Sequence, residues 1–276
     1  MDTIFHPTDF SRASHRAFAH ALRLAVIAKS TLTVYHTEPH NPAASWDQFP
    51  HVRQLLADWG MIPEQSPREA IYDLGIGIEK VSAAHRSARD SVLKYLEKYP
   101  HQLIVLATHQ HSGLRQLFRR SVAEQIARRS GDMALFIPAK CEGFVSLNDG
   151  TVSLRNILIL SDTTYFSQLG IEAAQMMVRS LGVTEANFFI LQKNGKGESR
   201  QVEEGSNECG KWFTISDDRS PLIAVTQVAE EVSAELIIVS SAGRDTIAER
   251  LFGSLAERVV RQAPCPVLTV PIGSIL

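Results

Sequence analysis

Two groups of residues in this chain have types and spacings that could do chemistry. The first follows the apolar run Leu236-Ile237-Ile238-Val239, where residues 240–254 read S-S-A-G-R-D-T-I-A-E-R-L-F-G-S. Gly243 and Gly253 stand ten positions apart, and Ser254 opens a helix-like segment that continues Leu255-Ala256-Glu257-Arg258-Val259-Val260. A strand, a glycine-bearing loop and a helix start make a phosphate site, because unpaired backbone N–H groups and the positive end of the helix dipole converge there. Gly243 lets the backbone approach a phosphate closely, Gly253 with Ser254 offers N–H groups and a hydroxyl, and Arg244 adds a charge-assisted contact. Asp162, at the end of another apolar run, could accept from a ribose hydroxyl or an adenine amino group.

The second group is the histidines. All ten lie in the first half, at His6, His15, His20, His36, His40, His51, His85, His101, His109 and His111. His36, His85, His109 and His111 fall after strand-like runs, where three or four imidazoles on one cleft could bind zinc or an anionic ligand. No H-x3-H or C-x2-C spacing supports a metal, and the plainer reading is of separate surface and loop histidines. Other chemistry is weaker still. Ser254 has no histidine in its own half and no G-x-S-x-G context for a nucleophile. Arg115, Arg119, Arg120, Arg128 and Arg129 read as a solvated helix face, and the Glu230-Glu231 pair lacks the setting of an acid/base dyad.

The elements that must position these residues come in two copies. Thr8-Asp9 matches Ser161-Asp162 at an offset of 153, and each is followed by an i, i+4, i+7, i+8, i+11 helical stripe. The stripes are Ala17, Ala21, Leu24, Ala25, Ala28 and Gly170, Ala174, Met177, Val178, Leu181. Toward the ends of the halves the offset is 133: Ser254 falls on Ser121, Glu257 on Glu124, Arg261 on Arg128 and Pro271 on Pro138. Twenty residues are therefore missing from the second half. Residues 41–73 carry a helical stripe at Val52, Leu55, Leu56 and Trp59, whereas the polar, glycine-punctuated stretch 193–211 reads as a loop.

Strands are expected near 3–6, 31–36, 77–83, 103–107 and 134–138, and near 156–160, 187–192, 211–215, 236–240 and 266–271. Short apolar runs alternating with helices predict two doubly wound α/β domains with mostly parallel five-stranded sheets. They should span residues 1–140 and 153–276, joined by a linker at about 139–153. In such sheets ligands bind beyond the C-terminal strand ends where strand order reverses, which gathers Asp162, Gln192-Lys193 and the loop Ser240–Gly243 at one edge.

Bulk properties agree with two ordinary domains: 276 residues, 44% apolar and 21% charged. A formal charge of -2 gives no general attraction to nucleic acid or to an anionic membrane. The opening Met1–Asp9 shows no basic segment followed by an apolar stretch, so a cytoplasmic protein is expected. Cys141, Cys209 and Cys265 fit neither a disulfide framework nor a zinc site, and Cys265, between two prolines, reads as buried and inert.

The segment Leu236–Pro271, with A-G-R-x6-L-F-G-S-L-A-E-R-V-V-R-Q-A-P-C-P-V-L-T-V, resembles the closing segment of the universal stress protein domain. Both halves also carry that family's opening, Thr8-Asp9-Phe10-Ser11 and Ser161-Asp162-Thr163-Thr164. The resemblance covers almost the whole chain as a tandem pair. It implies an α/β fold of nucleotide-binding type, cytoplasmic location, a pseudo-dimer of two domains, self-association and, in one branch, ATP binding through G-x2-G-x9-G-S/T. Carried over, that pattern puts its glycines at Ser240, Gly243 and Gly253 and its hydroxyl at Ser254, with Asp162 on the nucleoside. The candidate set for ATP or AMP is Asp162, Thr163, Ser240, Gly243, Arg244, Gly253, Ser254 and Leu255.

Ser240 departs from the pattern and would be strained if the backbone there needed positive φ. In the first half the glycine positions hold Ala107, Gln110 and Arg120, so that half is not expected to bind ATP in the family manner. Two rival classes remain: a non-nucleotide interaction module acting by dimerisation, with a metal or small-ligand site at the first-half histidines, and a weak ATPase. The second lacks a general base beside the phosphate loop.

Overall fold

The structure is a computed structural model and describes residues 2–40, 46–108, 126, 130–161, 164–193, 201–207, 210–241 and 247–271. The chain divides into two compact units, Met1–Val152 and Ser153–Leu276.

In the first unit the elements are β1 (Thr3–Thr8), α1 (Arg12–Ala28), β2 (Thr31–Glu38), α2 (Val52–Asp58), α3 (Ala70–Asp73), β3 (Gly77–Ala84), α4 (Ala88–Lys98), β4 (Leu103–Thr108) and β5 (Met133–Pro138). The sheet order is β3-β2-β1-β4-β5 and every pair is parallel. Its central strands carry buried apolar residues on both faces because helices cover them: Ile4, Phe5, Leu32, Val34, Ile104 and Val105 are fully buried. Helix α1 starts where Ser11 caps it, its side chain accepting from Ser14 N, and stops at Lys29, which turns left-handed at φ 51°. Its apolar stripe faces the sheet, with Ala17, Phe18, Ala21, Leu22 and Leu24 buried.

The stretch read as a linker is instead built onto the first unit. Arg16 Nη1 donates to Ala139 O at 2.7 Å, Trp59 Nε1 donates to Leu147 O at 3.1 Å, and Val145 bridges Val152. Phe144 is fully buried against His20, whose ring meets it edge-on at 4.9 Å. The bonds from Arg16 and Trp59 are single long-range contacts to backbone groups, and such contacts leave no periodic trace in a sequence.

The second unit contains β6 (Asn156–Ser161), α5 (Thr164–Ser180), β7 (Ala186–Lys193), β8 (Gln201–Asn207), β9 (Gly210–Asp217), α6 (Pro221–Glu231), β10 (Leu236–Ser241), α7 (Ile247–Gln262) and β11 (Val267–Pro271). The sheet order is β11-β10-β6-β7-β9-β8. Neighbours are parallel except β8, which runs antiparallel to β9 with Gln201 opposite Ser216 and Asn207 opposite Gly210. Among the described residues this sheet therefore has six strands rather than the expected five, and part of the stretch read as a loop is strand. An edge strand needs only one hydrogen-bonding neighbour and no apolar face, so Gln201–Asn207 carries no hydrophobic alternation, and its charges suit an edge.

Both sheets are doubly wound. From β1 the chain moves outward through β2 and β3, then returns to the other side of β1 with β4. From β6 it moves through β7 and β9, then returns beside β6 with β10. The points of reversal lie between β1 and β4 and between β6 and β10. Among the described residues no helix is long and apolar enough to cross a membrane.

Candidate functional site

In the second unit, β6 and β10 are hydrogen-bonded neighbours in parallel register, Leu160 beside Val239, so their C-terminal ends open onto the same edge. Ser240 occupies the end of β10 as an extended residue in register with Val270. It has no positive φ, so the strain that a serine would suffer at a left-handed position does not arise. Its side chain is directed away from the edge. Oγ is buried, lacks a hydrogen-bond partner among the described residues, and lies 3.2 Å from where a Cβ on Gly170 would stand. The same Cβ would meet Ile159 Cγ2 at 2.7 Å. Close packing of α5 on β6 and β10 thus calls for glycine at position 170 and a small residue at position 240.

The helix after the loop begins earlier than its sequence implied. α7 starts at Ile247, so Gly253 and Ser254 lie in its second turn and Ser254 does not open it. Glycine and serine resemble a boundary, but the amphipathic period already runs through Ile247 and Leu251, and propensity is overridden when one face packs. The unpaired amides of an N-terminus belong to the first turn, at Ile247 to Glu249. Leu255 is half-buried. Asp162, Thr163, Gly243 and Arg244 lie outside the described residues.

A charged pair that the sequence did not single out flanks this edge at the end of β9. Asp217 is buried and accepts from Arg219 N and Nε, both at 2.9 Å, with Arg219 Nη2 on its second oxygen at 2.5 Å. The contact raises the Arg219 pKa further, mainly through the Asp217 hydrogen bonds. Beside it Gln192 Nε2 donates to Ser216 Oγ at 3.0 Å. The acidic residue two before an arginine at a strand end was the available signal.

The corresponding edge of the first unit is filled by its own rings. Phe10, left-handed at φ 61°, stacks on His36 with centroids 4.0 Å apart, and Phe49 meets Phe10 edge-on at 5.4 Å. Asp9 Oδ1 accepts from Ser11 N at 3.0 Å. His36 is occupied on both nitrogens, by Thr8 O at 2.7 Å and Glu38 Oε1 at 2.8 Å. His85 Nδ1 sits within 3.0 Å of Ser87 N, in its own turn. Among the described residues no group of three or more histidines, cysteines or carboxylates could hold a metal. His109, His111 and the basic run Arg115–Arg129 lie outside or at the limit of the described residues.

The remaining buried histidines are structural. His6 Nδ1 donates to Val105 O at 2.9 Å. His20 donates from Nδ1 to Arg16 O at 2.8 Å and accepts at Nε2 from the amides of Phe144 and Val145, at 3.1 and 3.2 Å. Burial lowers both to a pKa of about 4. His101, also buried, contacts Tyr99 O and Thr33 Oγ1 and is likewise lowered by burial.

Residues 1–137 and 185–271 match the model of the universal stress protein family. A universal stress protein of Methanocaldococcus jannaschii is 33% identical over 82 residues, which cover 29% of this chain and 48% of that protein's own length. One from Synechocystis is 36% identical over 142 residues, covering 44% of this chain and 88% of that protein. Among solved structures, a universal stress protein from Archaeoglobus fulgidus shares the fold with a TM-score of 0.62 at 17% identity, covering 98% of this chain and 96% of its own. A functionally unknown protein from Pseudomonas aeruginosa does so with a TM-score of 0.66 at 12% identity, covering 100% and 94%.

Proposed function

The chain belongs to the universal stress protein family, and from that premise we propose that it is a cytoplasmic, self-associating regulatory protein whose second unit binds ATP or AMP. The observation that carries this reading is the placing of the β6 and β10 ends side by side where the strand order reverses, with the Gly243 loop following directly. Phosphates are assigned to the loop Ser240–Arg244 and to the first turn of α7, and the nucleoside to Asp162 and Thr163. The extended backbone of Ser240 is compatible with this loop. Gly253 and Ser254, with Leu255 behind them, are assigned the role of letting α7 approach the phosphate end. The first unit, with its edge filled by Phe10, His36 and Phe49, takes no part.

Function of this kind needs no chemical turnover. A nucleotide that binds one state of the protein shifts the population by its differential affinity and thereby changes stability or partner choice. At a hundredfold excess over Kd the folded state gains about 2.7 kcal/mol. Calorimetric titration of the intact protein with ATP and AMP is expected to give saturable heat that Gly243→Arg abolishes and Gly253→Arg weakens at least tenfold. No heat at millimolar nucleotide, or unchanged affinity in Gly243→Arg, would overturn the reading in favour of a non-nucleotide interaction module.

A further inference from the structure

The first unit holds a cavity of about 910 Å³ between α2, α3 and the face of β3, on the far side of the Phe49 ring from Phe10 and His36. Its size is that of small-molecule pockets in general. Three cationic side chains line it, Arg53 from α2, Arg68 ahead of α3 and Lys80 from β3, and among the described residues no carboxylate does. None of the three forms a salt bridge with a described residue. Arg53 is held in place, with Nη1 donating to Ser66 O at 2.8 Å. Lys80 is half-buried, 5.8 Å from the Phe49 ring centre, and its pKa is lowered by burial and then by Arg68 and Arg53. Like charges gathered around a partly desolvated ammonium destabilise the fold, and a bound anion removes that repulsion.

The rim adds a second chemistry. Trp46 and Tyr72 line the cavity and are 48% and 69% exposed, so both rings are open to a ligand. Trp46 is fixed by stacking on Phe49 at 5.2 Å. Three cations, of which Lys80 is half-buried and Arg53 and Arg68 are exposed, together with two flat rings suit a ligand with a multiply charged anionic end and a planar body. All these residues lie between positions 46 and 80, in and just after the stretch where the first half carries its twenty extra residues. Most of the cavity lining thus comes from the stretch that the first half carries in excess of the second.

We infer that this cavity is a binding site for a small phosphorylated compound bearing a planar aromatic ring, with Arg53, Arg68 and Lys80 on the phosphate and Trp46 and Tyr72 on the ring. Three cations favour a phosphate dianion over a single carboxylate. The site is independent of the nucleotide reading of the second unit, and substitutions in one unit test it without disturbing the other.

Calorimetric titration with 4-nitrophenyl phosphate, inorganic phosphate and 4-nitrobenzoate tests the assignment. The aryl phosphate is expected to bind at least tenfold more tightly than either of the others. Lys80→Met and Arg68→Met should each weaken it at least tenfold, Lys80→Arg should retain it, and Gly243→Arg should leave it unchanged. Thermal unfolding of each variant shows whether it is folded. Absence of binding at millimolar aryl phosphate, equal affinity in Lys80→Met and the parent, or loss of binding in Gly243→Arg would each overturn the proposal.

Discussion

Lowering the pH from 6.5 to 4 is expected to remove on the order of 3 kcal/mol of folding stability for each of His6 and His20. Both rings are fully buried, and burial brings their pKa down from 6.5 to about 4. At pH 7 neither the folded nor the unfolded chain carries the proton, so nothing is lost. Between the two values the unfolded chain binds protons that the folded chain refuses, and stability falls as pH falls through that window. Below about pH 4 the loss is complete. At about 1.36 kcal/mol per pH unit, the gap gives the stated magnitude. His20 should be the more severe case, because a proton on Nε2 would face the N–H groups of Phe144 and Val145 that now donate to it. Urea unfolding at pH 7.5, 5.5 and 4.5 measures the effect, and a stability that stays level across that range would refute it.

The same contact has a second side. Gly143 is left-handed at φ 80°, and a Cβ there would fall on the His20 ring. His20→Ala leaves two buried amides unsatisfied, each worth about 1–3 kcal/mol, and opens a cavity beside Phe144. Gly143→Ala attacks the contact from the segment, and the two losses should not add in the double variant because both remove one docking. In each, protease cutting between Cys141 and Asn148 should become faster while the sheet of the first unit stays intact.

That segment also shows where sequence was a poor guide. The parallel strands were legible because burial on both faces forces runs such as Leu236-Ile237-Ile238-Val239, and the helices because a packed face forces a 3.6-residue period. The repeat offsets located the extra residues of the first half for the same reason. Segment 139–152 is held by Arg16, His20 and Trp59, each reaching a backbone group more than 80 positions away, and no local pattern encodes that. The histidines looked like a cluster in sequence, but His6, His20, His36, His85 and His101 each satisfy separate backbone and side-chain partners. In the candidate nucleotide site, the strand ends were legible and the start of α7 was not, since Gly253-Ser254 imitates a boundary inside an amphipathic helix. Ser240 looked like the weak point only because its backbone conformation could not be read from its identity.

Gly210→Ala should destabilise the second unit by about 3 kcal/mol or more, whereas Gly205→Ala, five residues away, should change stability by less than about 1 kcal/mol. Both glycines belong to the stretch that sequence alone reads as a loop, and both lie in strands, β9 and β8. Gly210 has φ 141°, which L side chains rarely adopt, and pairs with Ala186 at the start of the β7–β9 ladder. A Cβ there would collide with the Ala186 carbonyl oxygen, and backbone cannot rotate aside as a side chain can. The collision can be relieved only by moving β9 off β7 or opening the β8–β9 hairpin. Gly205 sits opposite Trp212 with open space around its Cα, so a methyl group meets nothing and reduces the entropy of the unfolded chain. Trp212 stacks on Phe188 across β7 and β9 with centroids 4.1 Å apart, so its fluorescence reports on that ladder. In urea unfolding followed by hydrogen exchange, Gly210→Ala should lower the midpoint and expose the β8 and β9 amides before the rest of the sheet. Equal midpoints for the two variants would mean that the hairpin is not held at Gly210, and that this stretch behaves as the loop its sequence resembles.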